Sequence, residues 1–460
     1  MVHDFIERNF LQKSVIFWLN FKKSMCYTRS TKEIVRKSMK EFESVIGYES
    51  VKKELERMCD VLIHSEKYTR LGVKHPSGLL LHGEPGVGKT TMAKCFIEAC
   101  GRRAFTCRKL KPDGDFVNEI TRTFEDAKKA APSIVFLDDM DKFANDDSNH
   151  RNSEEYVTVQ SCIDDVKGKD VFVLATANSI RNLPDSLLRA GRFDKIIEVN
   201  TPTGKEAEDI IAYYLGQKRF VADVNVSEIA RILDGKSCAD LETVINEAGI
   251  YAGFDGRENI DMDDIIRACM RVIFNAPESL DGYSDEVVEK IAYHEAGHAV
   301  VAEILEPNSV NIVSVCTHDS CTGGITSLYQ SKDYFSSKHY MENRVRCLLA
   351  GRAATEVKYG DVDVGANSDI RRAFSIVERF VDDYCSTGFD RFETRTTTAA
   401  TAQRKEMQVT SEIARYYAEA RKILIQNREL LDKLAAALVE KKTIIARGIN
   451  AIKATCKKVA

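Results

Sequence analysis

One stretch constrains this chain more than any other: Gly83-Glu84-Pro85-Gly86-Val87-Gly88-Lys89-Thr90. It has the spacing GxxxxGK[ST], follows the apolar run Gly78-Leu79-Leu80-Leu81 and opens a helical run that starts at Thr91. The glycines let backbone N–H groups wrap a chain of phosphates, and the helix N-terminus adds a favourable dipole. Lys89 is placed to reach the β- and γ-phosphates, and Thr90 to ligate Mg²⁺. A loop of this kind needs a strand before it and a helix after it, which predicts an α/β domain with a parallel sheet and helices on both faces. Three further apolar runs read as its buried strands: Ile134–Leu137, Val171–Ala175 and Ile196–Val199. Each ends in polar residues or glycine, where open α/β sheets keep their ligand sites.

The second nucleotide element should be a buried strand ending in acids, and Ile134–Leu137 leads straight into Asp138 and Asp139. Asp138 is expected to hold Mg²⁺ through water and Asp139 to polarise the attacking water. With these residues in place, the region resembles the motor of the AAA ATPases, and the order of its motifs is similar to that of the FtsH-like proteases. The resemblance implies that Asn178, closing Val173–Asn178, senses the γ-phosphate. It also implies that Arg189 and Arg192, in Leu187–Asp194, are arginine fingers reaching the nucleotide of a neighbouring subunit in a ring of six. Two departures stand out. Asp139 occupies a position where the family carries Glu, and a carboxylate withdrawn by one methylene can cost much of a rate. The family's substrate-gripping aromatic triplet has its nearest match in Phe116-Val117-Asn118. That makes Phe116 and Val117 the expected pore residues, in a segment shorter than the family's.

A second chemistry appears downstream. His294-Glu295-Ala296-Gly297-His298 is HExxH inside a run with helical apolar spacing, opened by Ser284, Asp285 and Glu286. Histidines at i and i+4 share one helix face, so both imidazoles can bind one Zn²⁺, and Glu295 can take a proton from water there. Neither a further histidine at 304 nor a downstream NExxxE is present, which leaves Glu356, Asp361, Asp363 and Asp369 as candidate third ligands. Here too the chain resembles the FtsH-like proteases. The match of Gly365–Ile370 to the family's ligand-bearing stretch implies Asp369 as third ligand, and Glu356 as a supporting residue. The stretch Gly323–Thr326 sits where the family has an edge strand, to which a substrate peptide can add.

The resemblance runs from residue 41 to 445 and implies a mainly helical zinc-peptidase domain after the motor and a small helical lid. The expected division is a basic extension over 1–40, an AAA ATPase large domain over 41–203, a lid over 204–274, a linker over 275–283 and the peptidase over 284–457. The extension holds nine Lys/Arg against three Asp/Glu, compatible with an organelle presequence, an interfacial helix or a solvated tail. No run approaches the roughly 20 apolar residues of a membrane span. Thirteen scattered cysteines, an odd count without a CxxC pair, argue for free thiols in a reducing compartment. The net charge of -4, with both signs interspersed, gives no indication of a nucleic-acid partner.

The expected function is therefore an ATP-dependent zinc metalloendopeptidase using ATP, Mg²⁺ and Zn²⁺ on unfolded or membrane-derived polypeptides. By resemblance its setting is membrane-associated or organellar. Two other readings share these motifs: a remodelling chaperone with an idle zinc site, and a zinc protease with a weakened motor.

Overall fold

The structure is a computed structural model that describes residues 41–110, 115–144, 153–219, 221–276, 283–316, 323–329, 337–361, 364–384 and 399–456. The basic extension, most of the expected linker and Asp363 lie outside these residues. The chain divides into two compact units, residues 1–213 with 235–241, and residues 214–234 with 242–460.

The first unit is organised by five parallel strands: β1 (Gly78–His82), β2 (Arg103–Cys107), β3 (Ser133–Leu137), β4 (Val171–Ala177) and β5 (Lys195–Glu198). Their order is β2-β3-β4-β1-β5. Every residue of β3 and β4 is buried, as central strands covered on both faces must be. The covering helices include α1 (Glu49–Ile63), α2 (Lys89–Cys100), α3 (Phe116–Lys129) and α4 (Glu154–Asp165). Side chains alternate between the two faces. Val135, Leu137, Val173 and Ala175 pack with Ile120 and Phe124 of α3 and Tyr156 and Val159 of α4. Phe172 points the other way and meets Phe96 of α2, with ring centroids 5.8 Å apart. Sequence reading found four of these strands and missed β2. Edge strand β2 is only partly buried, so Arg103–Cys107 lacks the continuous apolar run that marks its neighbours. In register, Leu137 of β3 sits beside Ala175 of β4, and Leu81 of β1 beside Thr176, so the loops at the strands' C-terminal ends converge.

The second unit carries most of the lid segment together with the peptidase helices. Helix α5 (Val226–Ile232) is capped by Asn225, whose side chain accepts from Glu228 N. Helix α6 (Met262–Phe274) opens with a reciprocal capping box between Asp261 and Asp264. The fully buried Asp264 is compensated by Arg257 Nη1 at 2.8 Å. Arg231 at the end of α5 donates to Asn308 O at 2.6 Å, and its own carbonyl accepts from Asn311 Nδ2 at 2.9 Å.

The peptidase part begins with α7 (Asp285–Leu305), capped by Ser284 Oγ, and continues through β6 (Val310–Ser314) and β7 (Ile325–Leu328). Then follow α8 (Lys338–Tyr359), α9 (Asn367–Asp382), α10 (Ala399–Gln426), α11 (Arg428–Lys441), β8 (Thr443–Ile445) and α12 (Ala446–Ala454). Thirteen residues of α7 are buried, His294 to Ala302 without a break, so this helix is the core of its unit. The small antiparallel sheet has the order β7-β6-β8 and leaves β7 at an edge. β7 answers to the expected edge strand, whereas three-residue β8 is too short to stand out in the sequence.

Candidate active sites

In the first unit, residues 83–88 form the bend between β1 and α2, with positive φ at Gly83, Gly86 and Gly88. Thr91 lies exposed in the first turn of α2. Lys89 folds back along the loop, donating to Gly83 O at 2.8 Å, Glu84 O at 2.7 Å and Asn178 Oδ1 at 3.0 Å. Burial pulls its ammonium below the ordinary value, partly offset by the carboxylates of Asp139 and Asp141. Thr90 Oγ1 donates to Asp138 Oδ1 at 3.0 Å, so the two expected Mg²⁺ contacts are adjacent and their oxygens suit a hard cation.

Several neighbours escaped sequence reading. Thr176 bridges the two acids, its hydroxyl donating to Asp138 Oδ1 at 2.8 Å and accepting from Asp139 N at 2.9 Å. Asp141 accepts from Asn178 N at 3.0 Å and so fixes the end of β4. Asp139 Oδ2 is held by Arg108 Nη2 at 3.2 Å and Lys142 Nζ at 2.9 Å. Asp139 has φ 55 and ψ 48, left-handed backbone that a short aspartate tolerates better than most residues. This gives a local reason for aspartate where the family carries glutamate.

The expected finger residues differ. Arg189 is exposed. Arg192 is half-buried and engaged within its own chain, by Asp164 Oδ2 at 2.8 Å, Gln160 Oε1 at 3.2 Å and Ser186 O at 2.5 Å. Phe116 is a correction. It begins α3 instead of projecting from a loop, is 3% exposed, and packs edge-on against Phe143 with centroids 4.8 Å apart. A ring enclosed in the core cannot grip a passing chain. Val117 beside it is half-buried, in the first turn of the same helix.

In the second unit, α7 presents both histidines on one face as the i, i+4 spacing requires. His294 Nε2 and His298 Nε2 are 3.1 Å apart, and Asp369 Oδ2 of α9 lies 3.4 Å from the first and 3.3 Å from the second. Tetrahedral Zn²⁺ with ligands at about 2.0–2.1 Å sets neighbouring ligand atoms roughly 3.3 Å apart, so this triangle is one face of such a polyhedron. His298 Nδ1 donates to Cys347 O at 2.6 Å, which turns the Nε2 lone pair inward. Burial alone would depress the charge on His298, yet Asp369 and Glu295 override it and push its pKa up to about 9. Burial likewise opposes charge on Asp369, and the two histidines hold its carboxyl well below the usual range. The field at the centre thus favours a cation, and the donor set fits zinc.

Glu295 is 5% exposed, and its Oε2 accepts from Thr326 Oγ1 of β7 at 2.7 Å. Gly324, at φ 159, passes so close that a Cβ there would lie 2.4 Å from the Glu295 carboxylate. Gly351 of α8 has the same role behind the histidines, where a Cβ would fall 2.5 Å from His294 Nε2 and His298 Nε2. The other candidate ligands are placed elsewhere. Glu356 is bonded by the Tyr417 hydroxyl and paired with Arg421 at 3.4 Å, while Asp361 is exposed and outside the metal-sized group. A cavity of about 560 Å³ opens over the centre, lined by His294, Glu295, His298, Asp369 and the edge of β7.

Comparison with known proteins matches both sites. Residues 79–201 match the ATPase family associated with various cellular activities (AAA), residues 223–267 the AAA+ lid domain, and residues 283–452 peptidase family M41. An ATP-dependent zinc metalloprotease FtsH of Caldicellulosiruptor bescii is 31% identical over 92% of this chain and 74% of its own. FtsH 2 of Thermoanaerobacter sp. is 29% identical over 91% of this chain and 83% of its own, and FtsH 4 of Sorangium cellulosum 29% over 94% and 72%.

Proposed function

Since the chain belongs to the FtsH family of ATP-dependent zinc metalloproteases, we propose that the two sites act in series, ATP turnover delivering polypeptide to the centre at His294, His298 and Asp369. It is an ATP hydrolase and a protein-degrading metalloprotease, with ATP, Mg²⁺ and Zn²⁺ as cofactors, in a family that assembles as oligomeric rings. The finer assignments are our own. The ATPase domain takes residues 41–203, the lid 204–274, the linker 275–283 and the peptidase 284–457. The ring has six subunits, and Arg189, exposed in the single chain, reaches the nucleotide of the next one. Arg192, tied to Asp164, orients the segment that carries it. Among the described residues no helix is long and apolar enough to cross a membrane.

One observation carries the peptidase reading: Glu295 stands beside three converging ligand atoms with its carboxylate held by Thr326. Bound zinc supplies Lewis acidity, polarising a peptide carbonyl and lowering the pKa of water. The chain's own groups do the rest. His294, His298 and Asp369 hold the ion, and Glu295 takes the proton from the attacking water and returns it to the leaving amine. β7, at the edge of its sheet among the described residues, offers that edge to the substrate backbone, which aligns the scissile bond with Glu295. At the nucleotide, Lys89 and the 83–88 loop bind the phosphates, Thr90 and Asp138 hold Mg²⁺, Asn178 senses the γ-phosphate and Asp139 orients water.

A second reading, a zinc protease with a weakened motor, is favoured by the burial of Phe116 and by the two cations on Asp139. Degradation of a folded and an unstructured substrate, with ATP turnover recorded, separates the two. If Lys89→Ala abolishes degradation of the folded substrate only, the motor unfolds its substrates. If it changes nothing, the motor is idle and the sites are uncoupled.

A further inference from the structure

The wall of the peptidase cavity carries two guanidinium groups that the chemistry described so far does not use. On α8, Arg344, Cys347, Leu348 and Gly351 follow at i, i+3, i+4 and i+7 and so share a face. That face fronts the metal centre, because Cys347 O holds His298 and Gly351 abuts both imidazoles. On α9, Arg372 lies one turn beyond Asp369, about 4.5 Å along the axis. Both arginines line the cavity that contains Glu295 and the three ligands.

Neighbouring arginines of the unit are already paired. Arg346, two residues from Arg344, is paired with Glu419 at 2.6 Å, and Arg428 with Asp432 at 3.0 Å. Arg344 and Arg372 have no ion-pair partner among the described residues. The carboxylates that share their cavity are engaged: Glu306 accepts from Asn343 Nδ2 at 3.3 Å, Glu295 from Thr326, and Asp369 belongs to the metal centre. A half-buried guanidinium such as that of Arg344 is costly until a counter-charge arrives, and its planar fork matches a carboxylate with two parallel hydrogen bonds.

We propose that Arg344 and Arg372 form a carboxylate-reading subsite of the peptidase groove, so that the protease prefers substrates with a carboxylate close to the scissile bond. This rests on the peptidase reading of the site. The carboxylate comes from an Asp or Glu side chain or from a peptide C-terminus, and the test distinguishes them.

Quenched-fluorescence peptides carrying Glu, Gln or Lys at each position around one cleavage site are given to the zinc-loaded full chain, each with a free and an amidated C-terminus. The expected result is kcat/KM about tenfold higher for Glu than for Gln at one position, mainly through KM. The Glu-to-Gln ratio falls to one in Arg344→Gln with Arg372→Gln, and Arg344→Glu shifts the preference toward Lys. A kcat/KM that falls on amidation while Glu and Gln remain equal assigns the carboxylate to the C-terminus, and a Glu preference that persists on amidation assigns it to the side chain. Equal kcat/KM for Glu and Gln at every position together with no effect of amidation, or a preference that survives the double substitution, overturns the subsite. If the unaltered chain cleaves no peptide, the peptidase reading itself fails. Binding of the same labelled peptides to Glu295→Gln, followed by anisotropy, then still decides: tighter binding of Glu peptides or of peptides with a free C-terminus supports the subsite, and equal binding of all of them overturns it.

Discussion

Thr326 Oγ1 donates to Glu295 Oε2 across 2.7 Å, linking edge strand β7 to the helix that carries both histidines. Hydrogen bonds to charged groups are worth about 1.5–3 kcal/mol net, and about 1.4 kcal/mol of barrier is a factor of ten. Thr326→Val is expected to lower kcat for peptide cleavage roughly tenfold, with zinc content unchanged. Thr326→Ser, which keeps the hydroxyl, should recover most of the loss. Steady-state kinetics beside metal analysis checks both.

Gly351→Ala tests the packing behind the metal. A Cβ would sit 2.5 Å from both Nε2 atoms, although the site is ordinary helix backbone. Alanine favours a helix by roughly 1 kcal/mol over glycine, so the fold itself should not suffer. Zinc affinity is expected to fall roughly 10- to 100-fold through displaced imidazoles. Competition with a zinc chelator reads the affinity, and circular dichroism shows whether the helix persists.

At the nucleotide site the Arg108 and Lys142 cations both engage Asp139. A part-exposed pair of this kind is worth up to about 1 kcal/mol, so releasing it in Arg108→Ala should raise ATP turnover roughly two- to fivefold. Asp139→Asn should suppress turnover while nucleotide still binds. A lower rate in Arg108→Ala would mean instead that the guanidinium assists the reaction.

What the sequence disclosed and what it hid follow from one physical distinction. Strands β1, β3 and β4, the phosphate loop and the HExxH helix are legible because local spacing alone dictates them: buried runs, glycine bends, and an i, i+4 histidine pair. Asp369 lies 75 residues from His294, and spacing left it among four carboxylates until the family resemblance singled it out. Thr326, Cys347 and Gly351 support the centre only through contacts between distant elements, so no local pattern marks them. Phe116 misled for a related reason. Its triplet resembled a pore loop, but the helix continues through it from Phe116 to Lys129, and Phe143 covers the ring.

The proposed role of Glu295, base of a working peptidase in an ATP-dependent enzyme, is open to a single experiment. The most direct measurement is cleavage of an unstructured protein by Glu295→Gln, with zinc content and ATP turnover recorded in the same preparation. Cleavage is expected to fall by at least about a hundredfold, with zinc and ATP turnover retained. Unchanged cleavage would contradict that role.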